Sequence, residues 1–178
     1  SSTENDKYVI YNYEQQIWYI GSLARTAWLD RGINDFPLAA NTDNLLYNHE
    51  FGFDDGSTNG AISAHIESSQ MDIQDGDGFL FIRRILPDLT FRSSTGAGSD
   101  NPAANFILKA RNFPGTNYGN SETAGVTQTS TSPIEQFTNQ VHVRLRGRSF
   151  ALRVESTAEG VGWRLGSPRV DIRPDGRR

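Results

Sequence analysis

A chain of 178 residues is long enough to bury a core, as one domain or two small ones. It contains no cysteine, which excludes disulfides, thiolate catalysis and cysteine-ligated zinc or iron–sulfur sites. Its formal net charge of −4 argues against a dedicated nucleic-acid binder, and no apolar run nears the roughly 20 residues of a membrane-spanning helix.

Seventeen glycines, abundant Ser, Thr, Asn and Asp, and few long periodic apolar stretches predict an all-β chain of short strands and turns. The chain opens Ser-Ser-Thr-Glu-Asn-Asp and its one methionine is Met71, so it is expected to be a fragment of a larger chain rather than a processed product. Residues 7–20 predict a hairpin: Tyr8-Val9-Ile10-Tyr11, a polar turn near Glu14-Gln15-Gln16, then Ile17-Trp18-Tyr19-Ile20. Aromatic and β-branched residues dominate both arms, as pleated packing prefers. A strand is expected over 25–29, stopped by Asp30-Arg31-Gly32, and residues 37–41 and 45–49 flank Thr42-Asp43-Asn44 as a second hairpin. Tyr11-Asn12-Tyr13-Glu14 returns as Tyr47-Asn48-His49-Glu50 at a spacing of 36 residues. Propeller blades repeat at about 40 residues, so residues 1–60 are read as propeller-like hairpins at the end of a propeller.

Past Gly56 the rhythm changes, and residues 61–178 are read as a β-sandwich-like module. Strands are expected over 61–67 and 78–91. The second is a mostly apolar run interrupted by Arg83-Arg84 and Pro87, which fits a strand buried on both faces for part of its length. A Ser-, Gly-, Asp- and Asn-rich linker covers 93–102, a strand follows over 105–111, and residues 112–132 read as a long loop. About 20 structureless residues are unusual inside a compact domain, so this loop is expected to reach a neighbour or to move.

The last stretch carries its charge in a strand pattern. Residues 141–178 hold nine arginines, no lysine and four acids, a net +5, whereas residues 1–60 hold three basic and nine acidic residues, a net −6. Val141, Val143 and Leu145 alternate with His142, Arg144 and Arg146, the period of two that gives one apolar and one cationic face. Phe150, Leu152 and Val154 repeat the alternation, as do Val170 and Ile172 against Arg169, Asp171 and Arg173. A guanidinium is planar and weakly hydrated, and it pairs with carboxylates in fixed geometry. Arg144, Arg146 and Arg148 are therefore candidate subunit-interface or channel residues. Pairing between strands or subunits is the preferred reading over direct phosphate contact, because the chain as a whole is net negative.

Several segments together carry a resemblance. Ile17-Trp18-Tyr19, Ala24-Arg25-Thr26-Ala27-Trp28, Tyr47-Asn48-His49-Glu50, Asp75-Gly76-Asp77-Gly78 and Arg83-Arg84-Ile85-Leu86-Pro87-Asp88 occur in an order similar to that of a structural protein of short-tailed bacteriophages. The closing run from Trp163-Arg164-Leu165-Gly166 to Arg173-Pro174-Asp175-Gly176-Arg177-Arg178 is the most specific piece. The chain resembles the C-terminal portion of the tail nozzle family, also called tail tubular protein B or packaged-DNA stabilisation protein. The resemblance implies a structural protein of the virion tail rather than an enzyme. It implies a homo-oligomeric, hexameric ring around a channel that retains double-stranded DNA and then passes it, with other tail proteins such as the adaptor and fibres as partners. It also implies a propeller followed by further β-rich modules; the N-terminal half of the family pattern has no counterpart here.

No catalytic, cofactor or metal residues are assigned. His49, His65 and His142 lie on separate predicted strands with no ligand spacing. Asp54-Asp55 and Asp72, Asp75 and Asp77 have the residue type of a glycosidase acid and nucleophile, but adjacent glycines read first as turns. Asp75-Gly76-Asp77-Gly78 also departs from a calcium loop, since Phe79 takes the next ligand position. Trp18, Trp28 and Trp163 could stack on sugar; Trp18, between Ile17 and Tyr19, is expected to pack in a core instead, and Trp163 to anchor the last strands. The rival to the nozzle is thus a carbohydrate-binding or glycan-cleaving β-sandwich of a phage tail protein.

Overall fold

The computed structural model describes residues 5–55, 60–91, 94, 102–113 and 128–177. The chain is all-β, built from small antiparallel sheets, and divides into two units, Ser1–Gly52 and Phe53–Arg178.

In the first unit, β1 (Lys7–Asn12) and β2 (Ile17–Ser22) form the expected hairpin in register from Lys7 opposite Ser22 to Asn12 opposite Ile17. Asn12 closes the turn: its Oδ1 accepts the backbone N–H groups of Glu14 and Gln15 at 3.1 and 3.0 Å. Such side-chain mimicry of a backbone turn is why Asn favours these positions. β3 (Ala27–Leu29), β4 (Leu38–Ala40) and β5 (Leu46–Asn48) make a three-stranded meander. The strand expected over 25–29 keeps only its last three residues. Arg25 instead lays its guanidinium 4.2 Å from the Tyr47 ring centroid and donates from Nε to His49 Nε2 at 3.0 Å. Burial first, and then that guanidinium, hold the His49 imidazole below its ordinary pKa.

The 36-residue echo does not mark equivalent positions. Tyr11-Asn12 ends the first arm of a hairpin, whereas Tyr47-Asn48 lies in the third strand of a meander. Neither sheet shows the four strands of a blade among the described residues.

The second unit is a sandwich. One sheet runs β11 (Gln128–Glu135), β10 (Ala103–Arg111), β13 (Ser149–Ser156), β6 (Ala64–Glu67), with β7 (Met71–Asp72) also pairing β13. The other runs β12 (Val141–Gly147), β8 (Leu80–Leu86), β15 (Arg169–Pro174), and β9 (Leu89–Phe91) pairs β14 (Trp163–Leu165) beside it. Strand β10 alternates buried and half-buried residues along its whole length, sending Ala104, Phe106, Leu108 and Ala110 inward. These meet Leu80, Ile82, Ile85, Val143 and Leu145 from the opposite sheet in one core with Phe150, Leu152 and Val154. Inward side chains interdigitating from two sheets are what holds a sandwich together.

Three expectations need correction. The run 78–91 is not one strand: it breaks at Pro87-Asp88 into β8 and β9, because proline has no N–H to give a ladder. Nor is it buried on both faces. Leu80, Ile82 and Ile85 are buried while the residues between them are half-buried or exposed, and a bulge at Arg83 shifts the phase. Finally, residues 128–132, assigned to the long loop, are strand β11. Its Gln-Thr-Ser-Thr-Ser start lacks apolar alternation because β11 is an edge strand, which also lets it carry Pro133. The remainder of that loop, 114–127, and nearly all of the 93–102 linker lie outside the described residues.

Trp163 performs the anchoring expected of it. Half-buried against the core, it donates from Nε1 to the buried Ser156 hydroxyl at 2.9 Å. Trp18 does not pack in a core. It is 65 % exposed and stacks on Tyr11 across the hairpin at 4.5 Å, since a two-stranded ribbon offers no covering layer among the described residues.

Candidate assembly surface

β12 and β13 are consecutive but lie in opposite sheets, so the arginine-bearing strands do not form one ribbon. The chain crosses between sheets at Gly147-Arg148, where the Arg148 N–H donates to Arg111 O at 2.7 Å. This crossing separates the three candidate arginines. Arg144 projects exposed from the outer face of β12. Arg146 lies on the same face, paired with Asp175 at 2.5 Å and with its guanidinium 4.0 Å from the Phe79 ring centroid. Arg148 sits beyond the strand at 4.9 Å from the same ring, donating from Nη1 to the carbonyls of Gly76 and Asp77 at 3.5 and 3.4 Å. Its role is to tie down the turn at Gln74–Gly76.

What brings more arginines to Arg144 and Arg146 is register. Arg146 stands opposite Phe81, which stands opposite Arg173; His142 stands opposite Arg84, which stands opposite Asp171. Arg83 occupies the bulge, and Arg169 sits beside Leu86 at the far end. Opposite faces alternate along a strand, so Val141, Ile85 and Val170 point inward and Arg84, Arg144, Arg146, Arg169 and Arg173 point out. Pairing within the chain covers only part of this charge. Arg84 reaches Asp171 at 3.7 Å and Gln140 Oε1 at 3.3 Å, and Arg146 has Asp175. Arg83, Arg144, Arg169 and Arg173 are exposed and have no ion pair among the described residues.

The other sheet's outer face behaves differently. Glu67 on β6 accepts two hydrogen bonds from Lys109 Nζ at 2.9 and 2.8 Å and one from Arg153 at 3.1 Å, and Arg153 also donates to Glu155 at 2.6 Å. The Lys109 hydrogen bonds, aided by Arg153, hold the Glu67 carboxyl below the usual range against the opposing effect of burial. Glu155 and Glu67 in turn raise the Arg153 pKa. These charges are neutralised at home. Because the folded-state value of Glu67 lies below that of the free side chain, its stabilisation is present above the ordinary carboxylate range. It is lost as pH falls through the folded value. Glu67→Gln is expected to cost about 1 kcal/mol at pH 7 in urea unfolding, a modest figure for a partly exposed network. The gap between Glu67→Gln and the parent should close on acidification; a gap unchanged down to the acid limit would contradict the assignment.

The acidic candidates do not converge. Asp54 Oδ1 accepts the Gly160 N–H at 2.6 Å, and Asp77 pairs with Arg177 at 3.4 Å. Asp75 is a turn residue with φ 53°. Among the described residues no three His, Asp or Glu side chains are placed to hold a metal ion, and His49, His65 and His142 lie near different strands. No helix among the described residues is long and apolar enough to cross a membrane. The hairpin of the first unit adds a second unsatisfied surface: Val9, Ile10, Tyr11, Trp18, Tyr19 and Ile20 are all exposed, on both of its faces. The sequence matches no known family model and no curated protein.

Proposed function

We propose that this chain is a structural element of the tail nozzle of a short-tailed bacteriophage. In this reading it assembles as a homo-oligomeric, hexameric ring in the virion tail, retains packaged DNA and then passes it, and meets the adaptor and fibres as neighbours. It acts by assembly and not by catalysis. The observation that supports this best is the outer face of β12, β8 and β15: a rigid sheet presenting exposed arginines that the chain itself leaves unneutralised. A guanidinium array held on a fixed scaffold is suited to fork-like pairing with an anionic partner. The exposed apolar ribbon β1–β2 supports the same reading, since contiguous apolar surface of that kind marks a contact site. Light scattering on the purified full-length protein, with class averages from electron microscopy, tests the proposal. Closed rings are the expected result; a strict monomer at all concentrations overturns it.

The exposed Tyr11–Trp18 pair favours one second reading, a glycan-binding module in which the stacked rings form a platform. Binding of host polysaccharide that is lost in Trp18→Ala, by a protein that remains monomeric, would favour it over the nozzle.

A further inference from the structure

We propose that the arginine face of β12, β8 and β15 docks on the acidic N-terminal unit of a second copy of this chain. This deepens the ring reading and rests on it. The face carries Arg83, Arg84, Arg144, Arg146, Arg169 and Arg173 against Asp171 and Asp175, a net +4. The first unit, residues 1–52, by contrast carries seven acids against three basic residues, a net −4, with Asp30, Asp35 and Asp43 exposed between the strands of the meander.

Three features select a carboxylate-bearing protein surface over the phosphates of DNA. First, the face already holds two guanidinium–carboxylate pairs, Arg84–Asp171 and Arg146–Asp175, and fixed carboxylates there repel a phosphate backbone. Second, its cations are all arginine, interleaved with Phe79 and Phe81, the composition that marks protein interfaces; lysine, depleted at such interfaces, is absent. Third, the chain as a whole is negative, so its long-range field does not gather a polyanion. Because donor face and acceptor unit are different surfaces, each copy contributes one of each. Such a heterologous contact propagates head to tail and closes into a ring when the rotation permits.

Charge reversal of the full chain tests this. Arg144→Glu with Arg173→Glu changes two exposed side chains with no ion pair among the described residues, so folding should be retained, as circular dichroism will check. Self-association followed by analytical ultracentrifugation should weaken at least tenfold and should also fall as salt shortens the screening length. Asp30→Arg with Asp35→Arg and Asp43→Arg should weaken it similarly. Mixing the two variants should restore assembly in part, because the double change brings the arginine face only from +4 to 0 while each position whose sign was reversed then meets the reversed positions of the other variant. Rings that survive both sets of changes overturn this contact while leaving the ring reading standing; a monomeric parent overturns both. A folded variant that still forms rings yet loses binding to a fluorescent 30-base-pair duplex, relative to the parent, assigns the face to phosphate and overturns the proposal.

Discussion

Truncating Phe106 to alanine is expected to destabilise the C-terminal unit by about 3–5 kcal/mol, a large share of the stability of a unit this size. Phe106 is completely buried in the middle of β10, the strand flanked by β11 on one side and β13 on the other. Its neighbours Leu108, Ile134 and Val154 are buried to the same degree and belong to rigid strands, so the space left by the ring cannot close cheaply. Urea unfolding monitored by far-ultraviolet circular dichroism checks the prediction. A cost below about 1 kcal/mol would show that the two sheets do not close over this residue as described.

Gly147→Val is expected to cost about 2–3 kcal/mol, through crowding rather than a void. Gly147 ends β12 where the chain passes from one sheet to the other, and a Cβ placed on it would stand 2.8 Å from Ala110 Cβ and 3.1 Å from Arg111 O. Neither neighbour can yield, since both belong to the backbone frame of β10, and the Arg148 N–H to Arg111 O bond at 2.7 Å pins the crossing in place. Glycine is needed here for close approach and not for an unusual dihedral angle. The same logic supplies an internal check. Gly147→Ala should cost less than Gly147→Val, and adding Ala110→Gly, which removes the nearest obstructing atom, should recover part of the loss. Additive costs for that pair would mean that the two positions do not touch.

Strands with strict alternation were legible from residues alone. The β1–β2 hairpin could be read from its aromatic and β-branched arms around a polar turn, and β10 and β12 because each buries one face, which a period of two records directly. Strand β11 left no such trace, being a polar edge strand. The arginine surface was legible only in part. The alternation around Arg144 and Arg146 showed that a cationic face exists, but not that Arg148 leaves it for the Gln74–Gly76 turn. Nor did it show that Arg83 and Arg84 on β8 and Arg169 and Arg173 on β15 join it. Their meeting depends on pairing between segments some sixty to ninety residues apart in sequence, and register at that range is set by the core. The exposure of Trp18 was illegible for the opposite reason. Local pattern assumes a covering layer, and a two-stranded ribbon does not supply one.

The extra residue at Arg83 has a consequence for how this surface can vary. Upstream of it, even-numbered positions of β8 face the interior; downstream, odd-numbered ones do. Without that residue the strand would alternate regularly, with Ile82 facing in, Arg84 out and Ile85 in, so the bulge adds an exposed cation between inward positions without changing which side chains are buried. A change in length by one residue at this point would therefore alter the spacing of the guanidinium array while leaving Leu80, Ile82 and Ile85 in the sandwich interior.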